Sequence, residues 1–162
     1  NTATNDISII EGGVLSLDGI YGTIFSINGD VSSAGMIKSG EMRVSFTGDF
    51  PQTVTGSIEC YDLWIARGNT VNFNGSVRVR HHLELSNGVL DVTLGELRLG
   101  ASDFGPASII VGVDAEYIGN AIREVEISCD EESIKRIGFG MSGVTVAELI
   151  GDIPTSGFAG SD

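Results

Sequence analysis

Between residues 58 and 100 apolar and polar side chains alternate, and the parity of the alternation flips at each interior glycine corner from Asn87-Gly88 on. Val77, Val79, Leu83 and Leu85 hold the odd places, with Arg78, Arg80, His82 and Glu84 in the even ones. After Asn87-Gly88 the apolar set passes to Leu90, Val92 and Leu94, and after Gly95 to Leu97 and Leu99. A strand points successive side chains to opposite faces, so each run buries one face and wets the other. A register slip within one strand would turn its whole apolar set outward. A flip at each glycine therefore marks a corner, after which a new and very short strand begins.

The first half of the chain shows the same grammar. Leu15 and Leu17 alternate with Ser16 and Asp18 before Gly19, and Phe25 and Ile27 precede Asn28-Gly29. Met42, Val44 and Phe46 lead to Gly48, and Val54 leads through Gly56 to Ile58, Cys60, Leu63 and Ile65. Asn-Gly recurs at 28–29, 74–75 and 87–88. Both residues accept positive φ cheaply, so the pair serves a hairpin or a solenoid corner equally well. An antiparallel β-sandwich would have fewer, longer strands. Runs this short, with repeated phrases between glycine corners, predict instead a right-handed parallel β-helix, in which each coil stacks on the last.

Beyond residue 100 the pattern loosens. The segment 101–107 reads as a loop, 108–113 as a buried strand, 117–120 as a turn and 121–129 as another alternating run. Residues 130–136, acids leading and bases trailing, form the only candidate helical turn, with calcium binding at Asp130–Glu132 a lesser reading than a solvated acidic loop. The expected organisation is a solenoid domain over 1–143 and a C-terminal cap or linker tail over 144–162.

A net charge of -13, with 9 Lys+Arg, argues against a phosphate-tracking surface and so against nucleic acid as partner. No apolar run reaches the length of a membrane-spanning helix. Cys60 and Cys129 stand far apart in sequence, with no second Cys or His at metal-ligand spacing. Parity turns both inward, as small buried hydrophobes, with a disulfide as the alternative.

The phrase YDLWIARGNTVNFNGSVRVRHHLELSNGVLDVTLGELRLG, ending at Gly100, resembles the haemagglutinin-like β-solenoid repeats of very large secreted bacterial surface proteins. The segment 12–48 is similar to what precedes such repeats, and YIGNAIREVEISCDEESIKRIGFG, residues 117–140, to their closing lines. The resemblance implies an extracellular or cell-surface place and a non-enzymatic role as stalk, adhesive surface or both. Its implied partners are glycans, host or cell-surface proteins, and neighbouring domains of a larger chain. Alternatives are a polysaccharide lyase or hydrolase on a β-helix, and a trimeric fibre or tailspike-like receptor-binding module. The chain is poorer in threonine and more charged than such repeats.

The candidate chemistry is sparse, and no cofactor is expected. Trp64 lies opposite in parity to Leu63 and Ile65, hence outward; with Tyr61 and Arg78 it forms the candidate binding patch for a sugar ring or a docking protein. Arg67, Arg80 and Arg98 mark outward faces nearby. His81 and His82 fall on opposite faces by parity, which predicts one corner or core histidine, one surface histidine and no shared metal. Glu84, Asp91 and Glu96 all point outward; for glycoside chemistry, stacking would have to bring two of them to within about 5–10 Å.

Overall fold

A computed structural model describes residues 2–4, 6–66, 68–102, 105–106, 108–112, 115–130 and 133–141, and side chains within most of 6–121. It is all-β: parallel strands stack into a β-solenoid of about five turns. Each coil has three short faces. The first face stacks Ile7–Ile9, 31–32, 52–54, Thr70–Phe73, 89–92 and 116–119. The second stacks Val14–Ser16, 36–38, 57–60, 76–79, 96–99 and 121–123. The third stacks Thr2–Thr4, Ile24–Ile27, Arg43–Phe46, 62–65, 82–85 and Ser108–Val111. In the central coils a residue's partner lies 19 or 20 positions on, as in Val71↔Leu90 and Leu63↔Leu83. Strands stacked from coil to coil on these three faces run the same way, so the sandwich alternative is set aside.

The inward rows follow the parity of the sequence except at Leu94, expected inward with Leu90 and Val92 but 77 % exposed beside the Gly95 corner. Phe25, Val44, Leu63 and Leu83 stack in one row of the third face, Ile27, Phe46, Ile65 and Leu85 in the next. On the second face Ile37, Ile58, Val77 and Leu97 form a continuous line. All but Phe25, at 8 %, are at most 2 % exposed. Phe46 meets Phe73 edge to face, centroids 5.7 Å apart, across the interior. Cys60 is a free thiol in the second face's inner row; burial, with Asp62 beside it, pushes its pKa far up. The side chain of Cys129 lies outside the described residues.

The corners between the first and second faces are built from glycine. A Cβ on Gly35 would fall 2.0 Å from the Gly13 carbonyl oxygen, one on Gly75 1.8 Å from that of Gly56, and one on Gly95 2.4 Å from that of Gly75. Backbone bonds cross the same column: Met36 N–H donates to Gly13 O at 3.0 Å, and Glu96 N–H to Gly75 O at 2.9 Å. Here the coils approach closely enough that any side chain would hold them apart. Among the described residues, most positive-φ positions are glycines, Gly22 (φ 87°) among them, and one is Asn87 (φ 56°), whose type tolerates that region.

The end of the chain departs from the sequence reading. Residues 117–120 are no turn: they lie in the strand Glu116–Asp130, and Tyr117 is buried on the inner row beside Leu90. Residues 133–136 are no helical turn either. Ser133–Met141 pairs antiparallel with Glu116–Asp130, through Val125↔Ile137 and Ser128↔Ile134. A single helical turn closes too few hydrogen bonds to persist, while Ile134 and Ile137 sit in a run that a neighbouring strand can extend. This hairpin follows the last described parallel pairings; Glu131, Glu132 and residues 142–162, with the expected boundary between 143 and 144, lie outside the described residues.

Candidate functional site

Among the described residues, aromatic and titratable side chains cluster at the edge where the second face turns into the third. Each coil crosses it differently. Ile20 to Thr23 form a tight turn, closed by Thr23 N–H on the Ile20 carbonyl at 3.1 Å, which presents Tyr21 at 60 % exposure. Ser39 to Met42 form the next, closed by Met42 N–H on Ser39 O at 2.9 Å, with Gly40 at φ 56° and Glu41 at the tip. The third coil spends a single residue, Tyr61, between Cys60 and Asp62. The fourth spends two, Arg80 and His81, and the ladder shifts register there: Cys60 pairs Val79 but Asp62 pairs His82.

That extra residue lays His81 over the corner below. Its ring stacks on Tyr61 with centroids 4.5 Å apart and planes at 22°. Tyr21 meets Tyr61 edge-on at 5.9 Å and His81 at 6.0 Å. The Arg80 guanidinium lies 5.6 Å from the Tyr61 ring centre and donates to the Gly40 carbonyl. Together Tyr21, Glu41, Tyr61 and His81 line a cleft of about 390 Å³. Burial, then the charges of Asp62 and Glu41, raises the Tyr61 pKa, so its phenol stays neutral. Two stacked rings with a third edge-on make an apolar wall, and Glu41 adds a hydrogen-bond acceptor at its rim.

Behind the cleft is Asp62, 5 % exposed. Its Oδ1 lies 2.9 Å from Nδ1 of His81, and its Oδ2 3.8 Å from Nε of Arg43. His82, opposite it in the ladder, has its ring centroid 3.7 Å from that of His81. Parity had separated the two imidazoles. It applies only along a straight strand, and here the chain bends between them, so the expectation that the two rings stand on opposite faces is corrected. Burial and the neighbouring His81 lower the His82 pKa.

The three residues proposed from the sequence are not brought together. Tyr61 lines the cleft. Trp64 points outward from the third face, half-buried, with the Arg43 guanidinium 5.8 Å from its ring centre and its Nε1–H donating to Ser86 Oγ at 2.9 Å. Arg78 stands on the second face, in an outward row with Lys38, Glu59 and Arg98. Arg67 lies outside the described residues. The carboxylates are likewise dispersed: Glu84 on the third face, Asp91 on the first and Glu96 on the second. Asp91 borders a smaller polar groove of about 280 Å³ with Thr53, Asn72, Asn74, Thr93 and Leu94. Sequence reasoning missed Tyr21, Glu41 and Asp62. The available signal was a polar residue, His81, at an inward parity position.

Comparison with family models, curated proteins and solved structures returned no match to this chain. The fold defines it as a β-solenoid, and its likeness to haemagglutinin-like repeats rests on the sequence phrases.

Proposed function

We propose that the chain is a segment of a secreted or cell-surface protein, in which the stacked coils act as a stiff spacer and their aromatic edge as an adhesive surface for glycans. The observation that carries this reading is the alignment of Tyr21, Glu41, Tyr61 and His81, contributed by four successive coils, along one edge of a continuous ladder. Parallel coils joined by in-register backbone bonds spread a load over many similar units. A flat aromatic wall with an acceptor at its rim suits the apolar face of a sugar ring and its hydroxyls. The resemblance to surface-protein repeats points the same way.

Tyr21 supplies the cleanest test, because it is exposed and removing its ring leaves the interior untouched. On a glycan array, Tyr21→Ala should lower retention about tenfold, the value of one good aromatic contact. Its Tm should stay within roughly 2 °C of the parent, as surface changes do in a chain of this size. Retention equal to the parent's would discard the adhesive reading of this edge.

A further inference from the structure

We infer that Asp62, His81 and His82 form a binding site for a divalent transition-metal ion, with Zn²⁺ as its best match. One ligand atom from each of the three lies within 4.8 Å of the others. Two imidazoles and a carboxylate are the donor set that borderline ions of this class prefer. Bonds of about 2.0–2.2 Å from a central ion put neighbouring ligand atoms somewhat over 3 Å apart. Nδ1 of His81 and Oδ1 of Asp62, 2.9 Å apart around a shared proton, need only a small widening to admit an ion in its place. The His81 proton then sits on Nε2, the tautomer that turns the Nδ1 lone pair toward the carboxylate.

The scaffold favours this over chance proximity. Asp62 is fixed by burial and ladder register, and His82 is its direct partner in the next coil. His81 is held by its stack on Tyr61. Arg43 is the opposing charge, 3.8 Å from Asp62, and Glu84, 3.3 Å from Arg43 Nη1, draws that cation aside. Three protein ligands leave a fourth position for water or a ligand oxygen, the arrangement of an open zinc site. The site is independent of the glycan reading, because it is tested with the metal alone.

Isothermal titration of the full chain with Zn²⁺, in a Cys129→Ser background that removes a competing thiol, should give one ion per chain. His82→Gln and Asp62→Asn should each weaken binding by about tenfold or more, and saturating Zn²⁺ should raise the Tm of the parent but not of His82→Gln. His82 is half-exposed, so its variant keeps the test decisive should the Asp62 variant fail to fold. Absence of binding, or binding undiminished in His82→Gln, would overturn the site. So would a folded Asp62→Asn that binds as tightly as the parent, since that would reduce it to adsorption on surface histidines.

Discussion

Gly75→Ala should lower the Tm by roughly 6–12 °C, although it adds one methyl group. The new Cβ would stand 1.8 Å from the Gly56 carbonyl oxygen, less than any real contact, and the obstacle is backbone rather than a side chain that can swing away. The coils must part at this corner. Parting them strains the second-face register that pairs Ser57 with Ser76 and Ile58 with Val77. Overpacking of this kind costs about 3 kcal/mol. Gly22→Ala is the control. Nothing lies within 4 Å of its Cβ, so only the left-handed backbone, at φ 87°, opposes the change, at about 1 kcal/mol. Thermal melts of both variants check the ranking, and equal losses would show that the glycine column is not in close contact.

Gln52→Leu should be the second large loss, about 3 kcal/mol, read as a lowered denaturant midpoint with unchanged slope. Gln52 is 1 % exposed, in the inner row of the first face with Val71, Leu90 and Tyr117 as its successive partners. Its Nε2 donates to the carbonyls of Ile27 at 3.1 Å and Gly29 at 2.5 Å. Its Oε1 accepts from Gly48 N–H at 3.2 Å and from Asn69 Nδ2. One side chain thus ties three corner segments together around the end of the core. Leucine fills the volume and restores apolar burial, but it strands the Gly48 donor and the Asn69 amide without water. Stranded buried groups cost about 1–3 kcal/mol each, more than one buried side chain's gain over glutamine. A variant as stable as the parent would mean that water or another group takes over these bonds.

The winding itself was legible in the sequence because glycine does two visible things at a corner. It can break the apolar alternation and it removes the side chain that stacking forbids, so Gly95 announces both the bend and the close approach, while at Gly75 parity runs on and the Asn-Gly pair is the sign. The corner between Val79 and Leu83 was hidden. Two residues turn it, an even number, so the inner parity continues unbroken and His81 and His82 look like neighbours on one straight strand. Gln52 was equally silent, since a lone polar residue at inner parity carries no mark of the carbonyls it will meet from residues 27 and 29. Outward parity placed Trp64 and Arg78 on the surface, yet successive faces point in different directions, and parity alone does not say which face a residue occupies. The cleft draws on residues 21, 41, 61 and 81, about one coil apart, a spacing with meaning only once the coil length is known.

The account stands on strand direction, and backbone NOEs in isotopically labelled protein read it directly. Around the Asn28-Gly29 corner the solenoid sends Ile27 and Val31 to different faces, pairing Val31 with Ile7 and Val54, and Ile27 with Phe46. Inter-strand contacts of parallel type at those pairs, and at Leu63 with Val44 and Leu83, are the predicted result. Close Hα–Hα contacts between Ser26 and Val31, the first non-hydrogen-bonded pair of an antiparallel hairpin turning at Asn28-Gly29, would contradict it.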